Sequence, residues 1–187
     1  MIGDIIESMR KNPVIAAVRK EKDIEEALHG KAFNIFILSC DIFNIKRIVD
    51  SVKESGKNVF IHIDLLEGLG RDNRAIDYIA EEIKPSGIIS TRSQSIKYAM
   101  GKGIFTIQRF FLIDSLSYDT TVKTARTIQP DIVELMPAVM PSVMERICKE
   151  LSMPAIAGGL VETLEDIKAI LNSGPIAVST GKKALWK

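Results

Sequence analysis

Short apolar runs alternate with amphipathic stretches from one end of this chain to the other. The apolar runs are Val14 to Val18, Ile35 to Leu38, Val59 to Ile63, Gly87 to Ile89, Phe105 to Gln108, Ile132 to Leu135, Ala155 to Ala157 and Ile176 to Val178. All eight are brief and mostly apolar on both faces, which is the pattern of strands buried in a parallel sheet. Helical periodicity fills the gaps. Ile45, Ile48, Val49 and Val52 fall on one face of a helix, and Lys46, Arg47, Asp50 and Lys53 fall on the other. Thr163-Leu164-Glu165-Asp166 reads as a helix start with acid in its first turn. Asn172-Ser173-Gly174-Pro175 stops that helix and opens the last strand. Ile2 to Arg10 predicts a short helix ahead of the first strand, placed to cover a barrel floor. Only Lys182 to Lys187 follows the last strand, room for one brief helix.

The alternation has no break, no low-complexity tract and no long linker. It argues for one closed or doubly wound parallel sheet, and eight repeats favour a small (β/α)8 TIM barrel occupying 1–187 as one domain. The 187 residues are few for a fold that usually takes about 250, so the loops must be short. The 46% hydrophobic fraction suffices for one full core.

In such a barrel, functional groups stand at the C-terminal ends of the strands. Those positions hold Arg19 and Lys20, Ser39 and Cys40, His62 and Asp64, then Ser90, Thr91 and Arg92. Gln108 and Arg109, Glu134, Gly158 and Gly159, and Ser179 and Thr180 complete the rim. The last two pairs are the most informative. Pro154-Ala155-Ile156-Ala157-Gly158-Gly159-Leu160 and Pro175-Ile176-Ala177-Val178-Ser179-Thr180-Gly181 are two strand-to-loop turns one βα unit apart. Glycines let backbone N–H groups approach an anion closely, and a helix starting after Gly181 would add its positive end. Together they predict a phosphate-binding site at the ends of strands seven and eight, formed by Gly158, Gly159, Ser179 and Thr180.

The net charge of +1 gives no broad basic field, so any nucleic-acid binding must rest on a local patch. Cys40 and Cys148 are far apart and form no metal or disulfide pattern; free thiols fit a reducing cytoplasm. Acids near the N-terminus argue against a signal peptide, and no apolar run approaches the ~20 residues that span a bilayer. Asp64, Arg109 and Glu134 end strands three, five and six. They fit either a buried ion network or a grip on ligand hydroxyls, with acid–base chemistry a third role. His29 is expected at the surface, and His62 in the core with a satisfied hydrogen bond. Gly68-Leu69-Gly70 is too weak for a dinucleotide fingerprint. Glu67 and Asp72 read as solvated acids, and no metal is assigned. Trp186 is expected to pack against a neighbouring helix.

Several ordered segments together resemble the bacterial glycerol-uptake operon antiterminator regulatory proteins. They include Val59-Phe60-Ile61-His62-Ile63-Asp64-Leu65-Leu66-Glu67-Gly68-Leu69, Gly87-Ile88-Ile89-Ser90-Thr91-Arg92 and Thr106-Ile107-Gln108-Arg109-Phe110-Phe111. Pro130-Asp131-Ile132-Val133-Glu134-Leu135-Met136-Pro137, Ile156-Ala157-Gly158-Gly159-Leu160 and Ala177-Val178-Ser179-Thr180 continue the series. Gly181 and Ser173-Gly174-Pro175 depart from the usual residues without removing the phosphate loops. The resemblance implies a non-enzymatic regulator in the cytoplasm that needs no cofactor. It would take glycerol 3-phosphate as effector and bind leader messenger RNA to prevent premature termination of glycerol genes. The ligand's glycerol end would face Asp64, Arg109 and Glu134, with Arg92 and Lys182 as candidate RNA contacts. The rival is a phosphate-barrel lyase or isomerase acting on a small phosphorylated substrate. The oligomeric state is open, a homo-oligomer being one outcome.

Overall fold

The structure, a computed structural model, describes residues 2–187. Eight parallel strands close into a barrel. They are β1 (Val14–Val18), β2 (Asn34–Ile37), β3 (Asn58–His62), β4 (Gly87–Ser90), β5 (Thr106–Phe111), β6 (Ile132–Met136), β7 (Ala155–Gly158) and β8 (Ala177–Thr180). Each pairs with the next, and β8 closes on β1 through Val14↔Val178, Ile15↔Ser179 and Ala16↔Thr180. Helix α1 (Ile2–Lys11) precedes the barrel. Around it stand α2 (Ile24–His29), α3 (Ile45–Glu54), α4 (Asn73–Tyr78), α5 (Ser93–Gly101), α6 (Ser115–Ile128), α7 (Pro141–Glu150) and α8 (Leu164–Asn172). The chain after β8 forms one 3-10 turn, Lys183–Leu185, instead of the expected helix. Trp186 there is drawn into the core.

Period-two alternation along the strands sets what fills the barrel. One inward residue per strand builds the floor layer: Ile15, Phe36, Phe60, Ile89, Ile107, Ile132, Ile156 and Ala177. Phe36 and Phe60 meet edge to face at 5.5 Å. Ile5 and Met9 of α1 close this layer from below, as the amphipathic N-terminus predicts. Each isoleucine or phenylalanine of this layer contributes about 1.5–3 kcal/mol on burial. A polar clasp fixes α1 to the floor: Asn58 Nδ2 donates to Asn34 Oδ1 at 3.0 Å, and Ser8 Oγ donates to the same oxygen at 3.1 Å. Outside, the apolar face of α3 (Ile45, Ile48, Val49, Val52) packs on the sheet while Lys46 and Asp50 pair in solvent.

Several strands run past their expected ends. β5 continues to Phe111, β6 to Met136, β7 to Gly158 and β8 to Thr180. The polar residues there look like loop starts in sequence, yet they pair in register, Arg109 with Glu134 and Gly158 with Ser179. In a closed barrel the upper inward positions face a polar mouth, so polarity does not end the strand. β2 instead shifts back by one, to Asn34–Ile37, and a two-residue ladder of Cys40–Asp41 with Leu66–Glu67 forms beyond the rim. Thr163 makes the capping box its sequence suggests, accepting from Asp166 N at 3.1 Å. Both cysteines are free thiols. Burial, with Asp41 and Glu67 nearby, pushes Cys40 up to about 12, and burial alone pushes Cys148 up to about 11.

Candidate functional site in the barrel mouth

Two residues above the floor layer, the inward positions turn polar. His62, Arg109, Glu134 and Ser179 are all buried there. Arg109 Nε donates to Glu134 Oε2 at 2.6 Å, and Ser179 Oγ donates to Glu134 Oε1 at 2.6 Å. Glu134 is fully buried, so both carboxylate oxygens needed partners, and the pair from β5 and β8 supplies them. The sequence reading puts Glu134 at the ligand's glycerol end, apart from Ser179. The barrel instead sets it against Ser179, because inward residues of alternate strands share a layer.

Gly158 owes its identity to this network. A Cβ there would lie 2.1 Å from Ser179 Oγ and 3.1 Å from Glu134 Oε1. Gly159 has a different reason: its φ of +82° is left-handed, a conformation glycine adopts without strain. Leu160 follows at φ 60°, an uncommon conformation for a branched residue that stores strain in this loop. Thr180 Oγ1 donates to Val161 O at 3.0 Å and accepts from Lys182 N at 3.0 Å. Lys182 Nζ reaches Glu162 Oε2 at 2.9 Å. The loops after β7 and β8 are thereby tied together. Trp186 seats the tail beneath them, its indole N–H donating to Thr180 O at 2.8 Å.

Between these loops and β1 lies a cavity of about 310 Å3. Gly159, Ser179, Thr180 and Gly181 line it together with the guanidinium-bearing Arg19 and Arg109. Gly158 and Glu134 lie outside the lining. Arg19 follows β1 and its side chain has no hydrogen-bond or ion-pair partner among the described residues. A Cβ on Gly181 would stand 3.9 Å from Arg19 Nε, in ordinary contact, so the departure at Gly181 leaves that side chain room. Sequence reading reaches Arg19 only as a rim position. Its one signal is a base placed right after the strand that closes on β8.

Asp64 is turned away from this cavity. It sits past the end of β3 and accepts from Ser90 Oγ (2.8 Å), Thr91 N (2.7 Å), Thr91 Oγ1 (2.8 Å) and Arg92 Nε (2.9 Å). Burial alone would raise its pKa, but these bonds outweigh burial and hold the carboxyl below its usual range. Arg92 also donates to Arg71 O at 3.0 Å. Arg92 and Lys182, the two RNA candidates, follow β4 and β8, which stand on opposite sides of the closed barrel. The fold does not bring them together.

His62 departs from expectation. It is buried, but its Nδ1 has no hydrogen-bond partner. Arg109 and Ser179, two other polar groups of its layer, are bonded to Glu134 instead. Burial first, then the Arg109 charge, lowers its pKa to about 4, against the opposing pull of Asp64 and Glu134. His29 is exposed at the end of α2, its Nδ1 2.8 Å from Glu25 O. Asp72 caps α4 by accepting from Ala75 N at 3.0 Å. Among the described residues, no three His, Cys, Asp or Glu side chains gather as a metal site, and no helix is long and apolar enough to cross a membrane.

The sequence profile of the glycerol-3-phosphate responsive antiterminators matches residues 14–186. An uncharacterised Escherichia coli K12 protein, YgcP, is 36% identical over 182 residues, covering 97% of this chain and 95% of that one. The crystal structure of the glycerol uptake operon antiterminator regulatory protein of Listeria monocytogenes 4b F2365 superposes with a TM-score of 0.89. It shares 39% identity and covers 92% of this chain and 94% of its own. A glycerol uptake operon antiterminator-related protein from Thermotoga maritima MSB8 has a TM-score of 0.83 at 31% identity, covering 94% of this chain and 98% of its own.

Proposed function

The chain belongs to the glycerol-3-phosphate responsive antiterminator family, and from that premise we propose that it is a cytoplasmic regulator of glycerol genes that binds glycerol 3-phosphate in the barrel mouth and leader messenger RNA elsewhere on its surface. One observation carries the ligand half. The cavity of about 310 Å3 combines two glycine-bearing loops with two guanidiniums, and that of Arg19 has no partner among the described residues. A volume at the small end of ligand sites suits a small metabolite. An unpaired guanidinium beside exposed backbone suits a phosphate, through charge-assisted hydrogen bonds.

In this reading the phosphate sits between Gly159, Thr180, Gly181 and Arg19, and the glycerol end reaches Arg109. Glu134 acts as a positioning residue, holding Arg109 and Ser179 at the wall; Gly158 gives that network room. Asp64 shapes the neighbouring loop. The regulator reading is supported over acid–base catalysis by Glu134 itself. Both its oxygens are engaged and it is buried outside the lining, while Glu162, the carboxylate that does line the cavity, is paired with Lys182.

The test is ligand-induced thermal stabilisation. At about 100 times Kd, glycerol 3-phosphate should add roughly 2.7 kcal/mol to the folded state. Arg19→Ala should lose most of that shift, and glycerol without phosphate should give none. NMR of the recovered ligand should show it unchanged. A wild type that melts at the same temperature in millimolar ligand refutes the site, and a product signal moves the protein to the lyases or isomerases.

A further inference from the structure

A second concavity lies on the flank of the barrel, away from the cavity in the mouth. It is a cleft of about 980 Å3 between α4 and α5, running on into another of about 530 Å3 through shared walls at Asn73, Gln94, Tyr98 and Lys102. Five cations line the run: Arg71, Arg74, Arg92, Lys97 and Lys102. Only two carboxylates oppose them, Asp72 and Asp77. The local surplus of three exceeds the net +1 of the whole chain, so the remaining surface is net acidic. The local patch that the overall charge demands of any nucleic-acid site is here.

The cleft is organised rather than merely charged. Asp77 accepts from Tyr98 Oη at 3.0 Å and pairs with Lys102 Nζ at 2.7 Å and Arg74 at 3.4 Å, which fixes the middle of the wall. Asp64 and the Arg71 carbonyl clamp Arg92 at one end. The side chains of Arg71, Lys97, Asn73 and Gln94 have no partners among the described residues. Two free cations and two free amides in one trough suit a polymer with phosphates along its backbone and donor–acceptor edges on its bases. Backbone charge gives affinity for such a polymer, and amide groups can read bases in unpaired strands. The trough is also far larger than the effector's cavity.

We infer that single-stranded RNA lies along the α4–α5 cleft, with its phosphates on Arg71, Arg74, Arg92, Lys97 and Lys102. This rests on the RNA-regulator reading above, and it places Lys182, on the opposite side of the barrel, outside the RNA surface.

The experiment is fluorescence anisotropy with a fluorescein-labelled single-stranded RNA of random sequence, across a salt series, in the presence of glycerol 3-phosphate. The variant Arg71→Ala/Arg74→Ala/Lys97→Ala removes three phosphate contacts. It should flatten the slope of log affinity against log salt by about 2. Lys182→Ala should leave the slope unchanged. Lys97→Glu alone, at an exposed and partnerless position, should weaken binding in the same direction. Each variant should keep the wild-type thermal shift with glycerol 3-phosphate, which shows that it folds. If the wild type binds RNA and the triple variant matches it, the cleft is wrong while the regulator reading stands. If the wild type binds no RNA although its thermal shift is present, both fall. If polyglutamate displaces the RNA as well as unlabelled RNA does at equal charge, the cleft is a general anion trough and the assignment fails.

Discussion

Replacing Gly158 by alanine tests the buried network directly. The new Cβ would stand 2.1 Å from Ser179 Oγ, a distance no real contact sustains, and 3.2 Å from the Ser179 carbonyl. Ser179 must swing away, which ruptures its 2.6 Å bond to a fully buried carboxylate. Overpacking costs about 1–3 kcal/mol, and losing a hydrogen bond to a charged group costs about 1.5–3 more. A loss near 3 kcal/mol would lower Tm by roughly 6–12 °C in a chain of this size. Ser179→Ala removes the same bond without a clash, at about 1.5–3 kcal/mol. The double variant has no Oγ for the new methyl to meet, so it should cost little more than Ser179→Ala alone. Urea denaturation of the four proteins gives the coupling, expected at about 2–3 kcal/mol. Additivity within ~0.5 kcal/mol, or a neutral Gly158→Ala, would show that the packing account of this glycine is wrong.

Stability should also fall on mild acidification. His62 titrates near 6.5 when unfolded and at about 4 when folded, so between those values the unfolded chain binds a proton that the native state refuses. The loss should reach ~2 kcal/mol by pH 5 and level off below pH ~4, and His62→Gln should erase that part of the profile, as read by melting temperature against pH. Asp64 acts in the same direction at lower pH and for a different reason: hydrogen bonds to its ionised form hold its pKa down, giving stability that is fully present above 3.8 and fades as pH falls below it. Asp64→Asn should therefore destabilise at neutral pH by about 1.5–3 kcal/mol and shallow the acid limb; an unchanged acid limb would remove Asp64 as a source of it. Trp186→Ala should cost about 3–5 kcal/mol, since the ring is buried and its indole N–H donates to Thr180 O. It should also reduce the glycerol 3-phosphate shift by loosening the loop at Thr180. A variant that melts like the wild type would show that the tail is dispensable.

The family resemblance and the two turns after β7 and β8 were legible because they are local. Gly158-Gly159 and Ser179-Thr180 sit in short turns after apolar runs, and their spacing of one βα unit is a property of the chain. Arg19 was not legible as a cavity residue. It lies more than a hundred residues from those loops, and only the closure of β8 on β1 brings it beside Gly181. The cleft residues are closer in sequence, from Arg71 to Lys102, but they read as ordinary solvated faces until α4 and α5 lie side by side.

The chain itself determined the eight strands, the helices between them and the apolar floor. Those follow from the period of the hydrophobic positions, which one or two turns of backbone impose. Tertiary structure decided how the polar residues at the mouth divide their work. Asp64, Arg109 and Glu134 look equivalent in sequence, each charged at a strand end. Closing the barrel buries Glu134 between Ser179 and Arg109, opens Arg109 to the cavity and turns Asp64 to the loop after β4. A buried charge must find partners, and which partners lie within reach depends on strand order and register, which no stretch of the sequence carries alone.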